Sequence, residues 1–199
     1  DTSVAAANNA ALAGVIVVAS AGNNGDIQLI TSAPASADRA ISVAATQRAA
    51  DTVASFSSRG PRRGDAGLKP DLAAPGTSIV SAKTGTGSER VSSSGTSMAA
   101  PHVTGVMALL RQAHPDWSVE ELKALAMNSA VPFVTRSQGP FSPPLLPVRT
   151  GAGRIDPQSA IAADTIFYAA DGSGRVSLSF GAPEVAGSYS AMQEVQIAN

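Results

Sequence analysis

VIVVAS, Val15 to Ser20, is a run of five apolar, mostly β-branched residues closed by a serine and preceded by Gly14. A strand with one wet face alternates polar and apolar residues, so an unbroken run suits a strand covered on both faces. The same grammar returns in ISVAA, Ile41 to Ala45, and in SIVSA, Ser78 to Ala82. Short uninterrupted strands among helix-forming stretches predict an α/β fold, with helices covering a parallel sheet. One such helix is the alanine-rich Ser3 to Ala13, capped by Asp1 or Ser3 and stopped at Gly14. SSRGPRRGDAG, Ser57 to Gly67, and APG, Ala74 to Gly76, read as loops.

Two further helices follow. From about Ser97 to Gln112 small and apolar residues crowd every face, as in a helix buried within a large core. SVEELKALAMNSA, from Ser118, opens with a capping box in which the Ser118 hydroxyl accepts from the Glu121 amide and the Glu121 carboxylate reaches back. A Pro-rich connection, Pro132 to Pro147, leads through GAGRID to a short helix near Pro157 to Ala163. Beyond Ile166 the texture changes: RVSLSF and QEVQIAN alternate with period two and predict half-exposed antiparallel strands. We therefore expect a first unit over residues 1–165 and the start of a β-rich domain over 166–199. Two or three strands are too few to stand alone, so that tail packs on the main body or has lost its remainder.

The composition narrows the function. Of 199 residues 44% are hydrophobic and 15% charged, enough apolar material for a globular core. With 14 basic and 15 acidic residues the net charge is −1, which leaves no basic surplus for binding nucleic acid. The longest apolar stretches, Ala10 to Ala19 and Val103 to Leu110, fall short of the roughly 20 residues that span a membrane. Cysteine is absent, which removes disulfides, thiolate nucleophiles and cysteine-held zinc together. The chain opens at Asp1, directly into a helix-like run, as expected of a processed product or part of a longer chain.

The stretch with chemistry in it is SSSGTSMAAPH, Ser92 to His102, where a glycine-marked loop enters a helix. Ser97 would sit at the helix N-terminus, near free backbone amides and the positive end of the dipole, where developing negative charge is stabilised. Thr96 or Ser97 would equally serve as an ordinary N-cap. Upstream, Asn24-Gly25 lies between VIVVAS and DIQLI and would make a two-residue hairpin turn with Asn23 beside it.

The string Gly95-Thr96-Ser97-Met98-Ala99-Ala100-Pro101-His102-Val103 resembles the nucleophile segment of the subtilisin-like serine proteases, the subtilases. VVASAGNNG (Val17 to Gly25), PASADRAISVAA, FSSRGP, KPDLAAPG, HPDWSVEELKALAMNSA and GAGRIDPQSAI resemble further blocks of that family, in its order, over roughly residues 1–165. The resemblance implies part of a doubly wound subtilisin-like sheet with flanking helices. It implies peptide-bond hydrolysis through an acyl-enzyme, with Ser97 as nucleophile and with the Asn23 side-chain amide and the Ser97 backbone amide binding the oxyanion. It places Ser20, Ala21 and Gly22 along one wall of the substrate pocket and Ser32 and Ala33 near its floor. Polypeptide substrates, secretion, and structural calcium in the full-length family are implied in the same way. The residues offer no carboxylate cluster to which a metal is assigned.

A serine hydroxyl needs a histidine to take its proton and a carboxylate to orient that histidine. Only two histidines are present. His102 follows Ser97 by five residues on one helix, so the side chains diverge, and His114 lies at a helix end before Pro115. The family's Asp and His segments, and the Ser-Leu-Gly strand lining the other side of its pocket, have no counterpart here. Asp51, Asp65 and Asp71 read as loop and turn carboxylates. The chain alone is thus expected to be inactive, and bound to a missing N-terminal half of the catalytic domain or self-associated through an unpaired strand edge. The alternative is a non-catalytic module that keeps the fold for binding or structure. A nucleotide-binding reading of TGTG or GAG fails, because neither joins a strand to a helix with the required spacing.

Overall fold

A computed structural model describes residues 1–29, 32–139 and 142–199. Helix α1 (Thr2–Leu12) is capped by the Asp1 side chain, which accepts from the Ser3 amide. Strands β1 (Val18–Ser20), β2 (Ile41–Thr46) and β3 (Leu72–Pro75) form a parallel sheet in the order β1-β2-β3. Val18 lies opposite Ile41, and Val43 opposite Leu72. Every residue of β2 is buried, Ser42 and Thr46 included, as expected of the central strand of a parallel sheet covered on both faces. Ile41, Val43 and Ala45 share the main core with Ala99, Val103, Met107 and Leu110 of α2 (Thr96–Ala113) and with Leu122 and Leu125 of α3 (Val119–Asn128). A smaller cluster joins Ala7 of α1 to Ala37, Ala40 and Val17. This is the α/β arrangement of parallel sheet and flanking helices that the sequence predicts.

The third parallel strand corrects that prediction. The sequence pattern puts SIVSA in the buried sheet, yet β4 (Ile79–Ala82) pairs antiparallel with β5 (Arg90–Ser93) in an exposed hairpin. LAAP, which runs into the APG loop signal, takes the place beside β2. A short apolar run carries no mark of parallel or antiparallel partnership, and Pro75 is tolerated because it ends its strand.

The α2–α3 turn is built as its residues imply. Ser118 Oγ accepts from the Glu121 amide at 3.1 Å and the Glu121 carboxylate accepts from the Ser118 amide at 2.7 Å. His114 ends α2 and stacks on Trp117 at 4.1 Å between ring centroids. After α4 (Pro147–Thr150) and α5 (Pro157–Ala162), β6 (Ile166–Ala169) pairs with β7 (Val195–Ala198). Ile166 and Val176 enter the main core, and Asn128 Oδ1 accepts from the Phe167 amide at 2.8 Å. RVSLSF forms no strand: β6 takes β7 as partner, and Leu178 and Phe180 remain exposed. Among the described residues no helix is long and apolar enough to cross a membrane.

A buried ionic trio ties these layers together. Asp71 Oδ2 accepts from Lys69 Nζ at 2.7 Å and from the Ser42 amide at 2.7 Å, while Lys123 Nζ lies 3.2 Å from Oδ1. Both ammoniums also donate to the Ala40 carbonyl. All three side chains are at most 3% exposed. Burial brings Lys69 down to about 8, with Asp71 opposing the shift, and the two lysines hold the Asp71 carboxyl below its ordinary range against the opposing effect of burial.

Candidate active site

Two segments meet at the end of the parallel sheet: the loop leaving β1 and the start of α2. The loop is held first. The Ala21 amide donates to the Val43 carbonyl, and the Ser58 amide donates to the Gly22 carbonyl at 2.9 Å. The Asn24 amide donates to Ser58 Oγ at 2.9 Å and the Gly25 amide to the Phe56 carbonyl at 2.7 Å. Asn24-Gly25 is therefore docked on residues 56–58, and the hairpin reading of this dipeptide does not describe it. Gly22 has φ +109°, and a Cβ there would lie 3.0 Å from Ser58 Oγ and 3.1 Å from Ser32 Oγ. Only glycine meets both conditions without strain.

The helix start is held by glycine contacts. The Gly95 amide donates to the Gly76 carbonyl at 2.8 Å, and the Gly76 amide to Thr46 at the end of β2 at 2.9 Å. A Cβ on Gly76 would come within 2.6 Å of Ala45 Cβ and 2.8 Å of the Gly95 carbonyl, so backbone packs on backbone here. Gly95 is the N-cap of α2 and has no side chain with which to satisfy the first amides.

Asn23 does that from a distance. Its Oδ1 accepts from the Thr96 amide and from Thr96 Oγ1, both at 2.9 Å, while Thr96 Oγ1 accepts from the Gly22 amide at 3.2 Å. A backbone amide can only donate, so this contact decides which end of the Asn23 amide is oxygen. The Nδ2 group then faces away from Thr96, and among the described residues it donates to nothing. Ser97 is exposed, one residue inside the helix rather than at its cap. The Met98 and Ala99 amides return to the Gly95 carbonyl, but the Ser97 amide has no acceptor among the described residues. One exposed hydroxyl thus stands with two idle N–H groups, backed by the positive end of α2.

Beside Ser97 lies a cleft of about 500 Å³ lined by Ser20, Gly22, Ser32, Ala33, Pro34, Ala100, Pro101 and Thr104, with Val18 and Ala19 behind. Four of the five expected pocket residues are brought together here. The fifth, Ala21, is buried and does not line the cleft. Among the described residues the lining carries no charged side chain. Neither histidine takes part: His102 Nδ1 contacts the Met98 carbonyl of its own helix at 2.9 Å, and His114 is at the other end of α2. Among the described residues no three His, Asp or Glu side chains gather to hold a metal ion.

Sequence reasoning misses two supporting groups. It offers Thr96 only as a cap, whereas Thr96 is the residue that orients Asn23, and it leaves Ser58 as part of a loop. The GTS string signals that Thr96 is adjacent to the site but not which way its hydroxyl turns.

The parallel sheet thus brings a helix-entry serine and an oriented side-chain amide together at its strand ends. The model of the subtilase family, Peptidase_S8, matches residues 1–182, and the chain belongs to that family. Over 124 residues it is 42% identical to the minor extracellular protease Vpr of Bacillus subtilis (strain 168), covering 58% of this chain and 14% of that protein. Over 118 residues it is 43% identical to the subtilisin-like protease SBT3.7 of Arabidopsis thaliana, covering 54% of this chain and 15% of that protein. The chain thus spans about one-seventh of these relatives' length. Among solved structures it resembles a protease of Pseudoalteromonas arctica PAMC 21717, with TM-score 0.64, 28% identity, and 81% of this chain and 46% of that one covered. The prenylagaramide maturation protease PagA resembles it with TM-score 0.62 and 27% identity, over 79% of this chain and 54% of that one.

Proposed function

We propose that this chain carries the nucleophile and the oxyanion-binding groups of a serine endopeptidase, and that a histidine and an aspartate from additional polypeptide complete the site. The observation that carries this reading is the Asn23 amide, fixed by its oxygen on Thr96 so that Nδ2 is left free near the equally free Ser97 amide. In the reaction the Ser97 hydroxyl oxygen attacks the scissile carbonyl carbon while the added histidine takes its proton. The carbonyl oxygen becomes an oxyanion that accepts from Asn23 Nδ2 and the Ser97 amide, donors already in place that need no reorganisation. Collapse of the tetrahedral species releases the amine, which takes the proton from histidine, and leaves an acyl group on Ser97. Water repeats the sequence and frees the acid. The uncharged cleft beside Ser97 receives the substrate side chain that precedes the cleaved bond.

The partner is a polypeptide that covers the free side of β1. That strand is at the edge of the sheet, and Leu12, Val15 and Leu109 in α1, before β1 and in α2 are exposed. Unpaired edges flanked by apolar residues seek another chain, so in its absence the protein self-associates. We propose secretion as well, in keeping with the extracellular protease Vpr among its relatives.

A fluorophosphonate that labels activated serines tests this. Ser97 is expected to react only after a polypeptide bearing the Asp and His segments is added and bound. Efficient labelling of the chain alone would refute the need for an added base. A complex that forms and still does not label would make the chain a non-catalytic module.

A further inference from the structure

Beyond Asn23 the same loop reaches a cluster of charge that the proposed reaction does not use. Asp26 Oδ1 accepts from Arg59 Nη1 at 2.8 Å and Oδ2 from Arg136 Nη2 at 2.9 Å. Arg149 Nε is 3.7 Å from Oδ1, too far for a hydrogen bond. Three guanidiniums from separate parts of the chain therefore share one carboxylate, an excess of two positive charges. The charged groups that act on Asp26 and on Arg149 are these same four, and none is a second anion.

The cluster is also short of acceptors. Arg149 is only 5% exposed, and one of its groups, Nη1, donates to the Ser57 carbonyl at 2.6 Å. Its Nε, like the Nε of Arg59, is buried with no hydrogen-bond partner among the described residues. Burial, reinforced by Arg59 and Arg136, presses Arg149 below its ordinary range. Surplus positive charge and idle buried donors both cost free energy that an added anion relieves. Access is open, because Asp26 is 31% and Arg136 71% exposed at the side chain.

We propose that Arg59, Arg136 and Arg149 form a binding site for an oxyanion, which occupies a second anionic position beside Asp26. Guanidinium forks match the paired oxygens of a carboxylate, sulfate or phosphate. The acidic side chain of a bound polypeptide and a free inorganic anion present this same chemistry. The site does not depend on Ser97 being a nucleophile, and binding is measured without any turnover.

The test is a titration of the chain with sodium sulfate against sodium chloride at matched ionic strength, followed by calorimetry and thermal unfolding. Saturable binding and a rising Tm are expected for sulfate only. Asp26→Asn removes the competing carboxylate and is expected to tighten sulfate at least fivefold, since one unit charge about 4 Å away changes binding of a single negative charge about that much through water and sulfate carries two. Arg136→Gln, at an exposed position whose side chain pairs with Asp26 alone among the described residues, is expected to weaken it about as much. Tighter binding by Asp26→Asn is not something a misfolded variant can imitate. A short blocked peptide containing Glu, compared with its Gln counterpart, separates the sources. Displacement of sulfate by the Glu peptide alone assigns the site to polypeptide, and sulfate binding without displacement assigns it to a free anion. No saturable response to sulfate or to the Glu peptide in either wild type or Asp26→Asn overturns the proposal, as does weaker sulfate binding by Asp26→Asn.

Discussion

Replacing Asp71 by asparagine removes the one carboxylate held between two buried ammoniums and leaves the shape nearly unchanged. The amide oxygen of the replacement can still accept from the Ser42 amide, so the loss is one of charge. At 2.7 Å and 3.2 Å each Lys–Asp contact has a gross attraction on the order of 5 kcal/mol at an effective dielectric near 20. Much of this offsets desolvation, and removing one member of a buried pair costs about 3–5 kcal/mol net. That is a large share of the roughly 5–15 kcal/mol that holds a domain folded. Urea unfolding followed by circular dichroism measures it, on the complemented protein if the chain alone associates. The pH dependence gives the signature. Lys69 titrates at about 8 in the folded protein against 10.5 when unfolded. Between those values the unfolded state binds more protons, so stability rises with pH there. In the Asp71→Asn variant Lys69 loses its counterion, so its deprotonation relieves more, and the deficit against wild type shrinks as pH rises toward about 8 and is constant above it. The folded Asp71 carboxyl is depressed, so its contribution is present above about 4 and is lost as pH falls through its folded value. A deficit below about 1 kcal/mol, the scale of a solvent-exposed pair, or one independent of pH, refutes this account of the trio.

Two further expectations concern the site. Thr96→Val deletes the hydroxyl that donates to Asn23 Oδ1 and strands the Gly22 amide, so kcat of the complemented enzyme should fall about tenfold with little change in KM, the loss of one supporting hydrogen bond of about 1–1.5 kcal/mol; unchanged peptide hydrolysis would show that the Thr96 amide alone orients Asn23. Gly76→Ala places a methyl 2.6 Å from Ala45 Cβ and 2.8 Å from the Gly95 carbonyl, which should cost about 1–3 kcal/mol of overpacking and slow fluorophosphonate labelling of Ser97 through a shifted helix start; a variant with wild-type Tm and labelling rate would show that the contact yields freely.

Some of this was legible because it is local. The Asp1 and Ser118 caps, the buried run of β2 and the length of α2 follow from residues within a few positions of one another. The strand assignment of SIVSA failed where the decision was not local, since LAAP and SIVSA are both short and apolar and only the pairing of Val43 with Leu72 distinguishes them. Ser97 was marked as a nucleophile by the family resemblance of its string, while its place at a helix start allowed an ordinary cap as well. The structure removes the cap, because Gly95 holds that position and Asn23 serves the first amide in its place.

By itself, then, the amino-acid order determined the α/β class, the caps and the residues worth watching, through propensities and patterns that act over a turn or a strand. Tertiary structure alone decided which loop reaches the head of α2, that Asn23 and Thr96 meet across 73 positions of chain, and that three distant arginines surround Asp26. Such contacts depend on the path of the whole backbone through the sheet, and no short window of sequence carries that path.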